Sequence, residues 1–242
     1  MAPMTLPAKN PIGLLLSGGL DSGILLTHLL AQGERVQPIY IDSQLVWQPE
    51  ELAAVRKFLA AVASPDVGEL KILNVPLGDV YAGHWSLNGR ETPDADSPDE
   101  AVYLPGRNPL LLVKAAVWCR LNGIDRIALA PLLGNPFADA TDEFFTLFEQ
   151  AMSVALSGPV KIERPFGKLT KRQVMRLARN CPLEFTFSCI APVDGLHCGR
   201  CNKCAERHAA FRDAEMEDST RYAITSGVAR TPTRAPTSGA AK

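Results

Sequence analysis

The chain has 242 residues, 46% of them hydrophobic and 21% charged, with 25 Lys and Arg against 26 Asp and Glu for a formal net charge of -1. That size and apolar content suffice for one α/β domain with a small appendage, while the balanced charge gives no global attraction to a nucleic-acid backbone. No run approaches the roughly twenty apolar residues of a membrane span, and Met1 to Asn10 lacks the apolar core of a secretion signal, so a reducing, cytoplasmic setting is expected.

Ile12-Gly13-Leu14-Leu15-Leu16 is a short apolar run ended by glycines, the pattern of a buried parallel strand entering a tight turn. Ser17-Gly18-Gly19-Leu20-Asp21-Ser22 follows. Glycine tolerates positive φ, so the backbone N–H groups of such a turn can converge on an anion. The helix predicted over Asp21 to Gln32, stopped at Gly33, adds its positive N-terminal end to the same place. The turn is neither G-x-G-x-x-G nor a P-loop with Gly-Lys-Ser/Thr, which argues against a dinucleotide or Walker-type site.

Arg35 to Ile41 reads as a second strand, Pro49 to Ala63 as a second helix and Leu70 to Val75 as a third strand. Gly83 to Pro98 carries Asn88-Gly89, Thr92-Pro93 and Ser97-Pro98 and has the composition of a long surface loop or a lid over a site. Asn108 to Leu121 is a strongly apolar helix ended by Asn122-Gly123, Asp125 to Ala130 a fourth strand, and Asp139 to Leu156 another helix. Strands alternating with helices imply an α/β fold, a doubly wound and mostly parallel sheet with ligands at the C-terminal edge of its strands. Lys161, Arg164, Lys168, Lys171, Arg172, Arg176 and Arg179 then form a basic run that is either a solvated face or an anion site, and Arg200, Lys203, Arg207 and Arg212 surround a cysteine cluster.

That cluster is Cys189, Cys198, Cys201 and Cys204, in which two CxxC steps share Cys201. The spacing suits a tetrahedral thiolate site, and zinc is the expected occupant. Disulfides belong to an oxidising compartment and are disfavoured here. His197 and His208 are near enough to replace a cysteine, whereas Cys119 and Cys181 read as small buried hydrophobes. Zinc held by four thiolates has no open position and is structural, so the chemistry is sought elsewhere. The expected organisation is an α/β domain over residues 1–160, a helical region with the four-cysteine site over 161–218, and a disordered tail over 219–242, rich in Thr, Pro, Ser, Gly and Ala.

Ser17 to Ser22 after an apolar strand resembles the SGGxDS loop of the N-type ATP pyrophosphatases, the PP-loop superfamily, which split ATP between its α and β phosphates. The chain as a whole resembles the 7-cyano-7-deazaguanine synthase (QueC/ExsB) branch. The matching pieces occur in order: the Ser-Gly-Gly loop, Leu104-Pro105-Gly106-Arg107-Asn108 opening a long helix, Leu169-Thr170-Lys171 opening a later one, and Ser188-Cys189 followed by Cys198-Gly-Arg-Cys201-Asn-Lys-Cys204. This resemblance implies a sheet of the adenine nucleotide alpha hydrolase-like, HUP type with a small C-terminal zinc-binding region. It implies ATP bound by Leu16, Ser17, Gly18, Gly19, Leu20, Asp21 and Ser22 with Gly106, Arg107 and Asn108. Asp21, Lys171 and Arg107 become the catalytic candidates at the phosphates, Asp21 either holding Mg²⁺ through water or capping its helix.

By the same resemblance the reaction is an ATP-dependent ligation in queuosine biosynthesis. A carboxylate, 7-carboxy-7-deazaguanine or a related acid, is adenylated, ammonia gives the amide, and a second activation dehydrates it to the nitrile. A homodimer is implied as well. Two stretches depart from the family: Asp42-Ser43-Gln44-Leu45-Val46-Trp47 stands where Asp-Tyr-Gly-Gln and basic residues are usual, and Gly134 to Thr141 replaces a Ser-Gly-Tyr-Pro-Asp-Cys-Arg stretch, with Thr141 at the arginine position. Asp42 and Asp139 are the candidates for acceptor contacts. A paralogue acting on a different acid stays open, as do a PP-loop enzyme modifying tRNA and a non-catalytic nucleotide- and zinc-binding module.

Overall fold

Successive side chains of a strand face opposite ways, and the first apolar run uses both sides: Ile12, Leu14 and Leu16 enter one core, while Leu15 packs against another. The computed structural model describes residues 10–178 and 180–224, so Arg179 of the basic run and the part of the expected tail beyond position 224 lie outside the described residues. Five strands, β1 (Ile12–Leu15), β2 (Val36–Asp42), β3 (Lys71–Asn74), β4 (Arg126–Ala128) and β5 (Lys161–Glu163), form one sheet in the order β3-β2-β1-β4-β5. Every neighbouring pair is parallel. The helices are α1 (Leu20–Ala31), α2 (Gln48–Val62), α3 (Trp85–Asn88), α4 (Arg107–Leu121), α5 (Asp142–Ala155), α6 (Lys171–Arg176) and α7 (Asn202–Asp213). None of the described helices is long and apolar enough to cross a membrane.

On one face, Leu25 of α1, Phe58 of α2, Val174 and Met175 of α6 and Phe211 of α7 close over the sheet. On the other, Leu112 and Cys119 of α4 and Phe145 and Met152 of α5 do the same. The doubly wound parallel sheet expected from the sequence is therefore present. The connection from β3 to β4 crosses from one side of β1 to the other, and such a reversal opens a crevice at the C-terminal ends of the central strands. A third apolar cluster joins Trp47, Tyr81, Leu104, Phe187 and Ile190 to the four clustered cysteines.

Three local expectations are corrected. The helix expected from Asp139 starts at Asp142, because Thr141 is extended (φ -77°, ψ 157°) and its hydroxyl accepts the Phe144 N–H; Asp139 sits in a preceding 3-10 turn, Ala138–Ala140. β5 adds a strand to the expected set: three residues with one buried apolar side chain carry no readable period, and the strand lies just past the expected division at residue 160. The stretch from Gly83 to Pro98 contains α3 and is pinned rather than loose. Trp85 stacks on Trp47 with ring centroids 5.6 Å apart, the Asn202 N–H donates to the Pro93 carbonyl, and the Asn202 side-chain amide donates to the Ser97 carbonyl, both at 3.0 Å.

At Gly13 α4 packs tightly against the sheet, since a Cβ there would lie 2.8 Å from Cys119 Sγ. Gly13→Ala is expected to cost roughly 1–3 kcal/mol through overpacking, measured as a fall in Tm. Adding Cys119→Ala should restore part of that loss, because it removes the opposing atom.

Candidate active site

The turn after β1 packs against α2. Gly18 takes φ +82°, and a Cβ on it would meet Val55 Cγ2 at 2.9 Å and Glu51 Cγ at 3.2 Å, so both the backbone angle and the space call for glycine. The Phe187 N–H donates to the Gly18 carbonyl at 2.7 Å, which ties the turn to the C-terminal region. Gly19 has ordinary negative φ and caps α1, while Ser17 and Ser22 share a hydroxyl contact of 3.1 Å across the turn. The turn opens onto a cavity of about 350 Å³ whose walls include Ser17, Gly19, Asp21, Arg107, Asn108 and Lys171.

Asp21, in the first turn of α1, meets Lys171, in the first turn of α6, at 2.6 Å. A capping box fixes the start of α6: Thr170 Oγ1 accepts the Gln173 N–H, and Gln173 Oε1 accepts the Thr170 N–H. Lys171 also reaches Glu206 Oε1 at 3.0 Å, and Glu206 Oε2 lies 2.7 Å from Lys203. Burial pushes the Asp21 carboxyl up, and Lys171, shared with Glu206, only partly offsets it. Burial works against the Lys171 charge too, but two carboxylates together hold that ammonium above the ordinary lysine range. Desolvation works against the charge of the half-buried Glu206 as well, yet Lys171 and Lys203 hold it down to about 2. Asp21 Oδ1 is buried without a partner, the condition of a carboxylate oxygen able to ligate a cation.

Arg107 opens α4 behind Gly106, which takes φ +74°. The Asn108 N–H donates to Asp139 Oδ2 at 3.0 Å and the Asn108 amide to the Asp139 carbonyl at 2.8 Å, so Asp139 fixes the helix start that carries Arg107. Asp139 and Asp42 both lie outside the residues lining this cavity; the Asp42 carboxylate accepts the Gln44 N–H at 2.9 Å. Leu16 is core, and Gly18 and Gly106 shape the backbone without lining the wall. A second cavity of about 400 Å³ adjoins the first. Asp21, Asn135, Lys171, Lys203 and Glu206 are among the residues that border both, and Leu132 to Phe137 line the second.

Glu51 and Glu206 escape a reading of the sequence, which also gives Arg207 only as one of the basic residues around the cysteines. Glu51 is 7% exposed, accepts the Trp47 indole N–H at 3.0 Å, and is pushed up to about 7 by burial, with Arg107 pulling the other way. In sequence it reads as an ordinary acid in the first turn of a helix. Arg207 is 1% exposed, and its guanidinium donates to the hydroxyls of Thr220, Thr186 and Ser188 and to the Leu183 carbonyl. Glu206 offers only an i, i+3 relation to Lys203.

The four cysteines are buried and their sulfurs all lie within 4.8 Å of one another. Cys189 and Cys201 are 3.8 Å apart and Cys198 and Cys204 3.9 Å. Tetrahedral zinc with Zn–S bonds near 2.3 Å requires edges of roughly 3.8 Å, so the set fits. Backbone N–H groups of Ala191, Cys198, Arg200 and Cys201 donate to the Cys189 and Cys198 sulfurs, as thiolates require. His197 is not among the ligands: its Nε2 accepts the Ser188 N–H at 3.1 Å, and burial pushes its pKa down to about 3. His208 stacks on Tyr222 instead.

Cys201→Ser should reduce bound zinc, measured by elemental analysis, from about one per chain toward none, and expose residues 189–204 to proteolysis. Glu51 gives a pH test. Its folded pKa lies above the ordinary 4.5, so its stabilising contribution belongs to the neutral acid, present below 4.5 and lost as pH rises through about 7. Glu51→Gln should therefore gain stability relative to the parent, on the order of 2 kcal/mol, between about pH 5 and about pH 8; a Tm difference that ignores pH contradicts this.

Residues 12–215 match the family described as queuosine biosynthesis protein QueC. The 7-cyano-7-deazaguanine synthase of Desulfotalea psychrophila is 30% identical over 219 residues, covering 87% of this chain and 98% of that protein. The protein of the same name from Saccharophagus degradans is 28% identical, covering 87% and 96%. Among solved structures, a 4-thiouridine synthetase in complex with RNA and bound ATP is similar at 16% identity with a TM-score of 0.46, covering 85% of this chain and 50% of that one. With residues 12–215 matched to one family and a relative 30% identical over 87% of the chain, the chain belongs to the QueC family.

Proposed function

We propose that this protein is an ATP-dependent nitrile synthase that converts 7-carboxy-7-deazaguanine to 7-cyano-7-deazaguanine. The observation that carries the reading is the unpartnered Asp21 Oδ1 beside Lys171, at the mouth of a glycine turn on the C-terminal edge of β1. The names of its relatives support the same reaction.

A carboxylate cannot be aminated directly in water, because oxide is too poor a leaving group. In the proposed sequence a carboxylate oxygen attacks the α-phosphorus of ATP, the bond to the bridging oxygen breaks, and diphosphate leaves with the electron pair. Ammonia then displaces AMP from the acyl carbon and loses a proton, giving the amide. In the second round the amide oxygen attacks a second ATP as the amide loses a proton, and loss of AMP and the remaining N–H proton leaves the nitrile.

Charge grows on the departing diphosphate in both rounds, so fixed positive groups there stabilise the transition state more than the ground state. The N–H groups of the turn, Lys171 and Arg107 take that role. Mg²⁺, when bound at Asp21, supplies Lewis-acid stabilisation of the same charge. Asp139 acts through α4 by holding Asn108, and the acceptor occupies the second cavity along Leu132 to Phe137. The four-thiolate zinc stays structural.

Incubation with ATP, Mg²⁺, ammonium and 7-carboxy-7-deazaguanine, followed by mass spectrometry, should yield the nitrile and about two AMP per nitrile. Lys171→Ala should lower AMP release by about a hundredfold. AMP released only when tRNA is added, or no turnover at all, would falsify the reading.

A further inference from the structure

Lys203 is a cation in the cavity wall that the mechanism above leaves unused. It sits between Cys201 and Cys204, in the first turn of α7, so the same backbone that presents the thiolates sets its position. Its ammonium lies 2.7 Å from Glu206 Oε2, while Lys171 arrives from α6 at 3.0 Å from Oε1 of the same carboxylate. One acid thus holds two ammonium groups, one at each carboxylate oxygen. Lys171 is shared with Asp21 at 2.6 Å, so these two ammonium groups and two carboxylates balance in charge while both ammonium groups stay within reach of the cavities. Arg107 adds a further cation to the wall of the first cavity.

An ordinary i, i+3 surface pair does not account for this. The Lys203 side chain is 32% exposed, it borders both cavities, and its partner carboxylate is already engaged by a lysine from another helix. Paired cations at a spacing fixed by a shared acid suit a ligand with several adjacent negative oxygens, because each ammonium can take a different oxygen in a charge-assisted bond.

We infer that Lys203 is a second diphosphate-binding lysine, acting beside Lys171, with Glu206 setting the distance between the two. The inference rests on the reading that this cavity holds ATP, and it gives the cysteine-bearing helix a direct part in gripping the leaving group.

The test is calorimetric titration of inorganic pyrophosphate, with Mg²⁺, into the zinc-loaded full chain. Lys203→Ala should weaken binding about tenfold, and Lys203→Arg should stay within about threefold of the parent because the charge remains. Arg200→Ala, on the exposed side of the same cysteine loop, should bind as the parent does. Zinc content is measured for each variant, and Lys203→Gln, which keeps most of the side-chain length, serves if the alanine variant loses metal. Parent-like affinity in both Lys203→Ala and Lys203→Gln with zinc intact overturns the inference. No acceptor enters the titration, so the two readings fail separately: a parent that binds pyrophosphate through Lys203 yet makes no nitrile refutes the proposed reaction alone, and nitrile formation with pyrophosphate binding indifferent to Lys203 refutes this inference alone.

Discussion

The ammonium of Lys171 is the point on which this structure closes. It bridges Asp21, at the start of α1, and Glu206, on α7, while its own helix α6 packs into the sheet core through Val174 and Met175. Three segments far apart in sequence thereby meet at one charge. Buried ionic groups are costly unless compensated, and here a single lysine shared by two carboxylates leaves one carboxylate oxygen of Asp21 unanswered. That unanswered oxygen beside the neighbouring lysines is the feature from which the binding of a cation together with a polyanion is proposed.

The cysteine cluster serves this site by geometry. Four sulfurs at tetrahedral spacing hold the start of α7, and α7 carries Glu206 and Arg207 to the cavity wall. Around the same cluster, Asn202 ties down the 83–98 stretch and Trp85 stacks on Trp47, whose indole N–H in turn holds Glu51 beneath the glycine turn. The departure from the family pattern at Asp42 to Trp47 is thus a packed feature of this protein: a tryptophan there supplies one donor to a buried acid and one face to a neighbouring ring.

Asp139 illustrates how a residue with the chemistry of a ligand contact is drawn into architecture. An acid before a helix reads as a substrate contact or a cap of its own helix; in the structure Asp139 fastens the beginning of α4, 31 positions earlier in sequence, through Asn108. The basic run from Lys161 divides likewise. Arg164 lies over the Phe145 ring and pairs with Asp142, while Lys171 and Arg172 reach the cavities.

What the sequence determined by itself was whatever a short window encodes. The alternation of apolar strands and helices specified the parallel sheet; the Ser17 to Ser22 turn and the CxxC spacing specified a phosphate-type loop and a tetrahedral thiolate set, because in each case neighbours along the chain are neighbours in space. Only the tertiary structure decided the strand order, the inclusion of β5, and the company that Asp21 keeps. Glu51 and Glu206 were invisible for the same reason, and Arg207 was legible only as one of the basic residues around the cysteines: a charged residue on a helix looks solvated until distant elements cover or pair it, and burial and pairing between segments far apart in the chain follow from packing rather than from any local pattern.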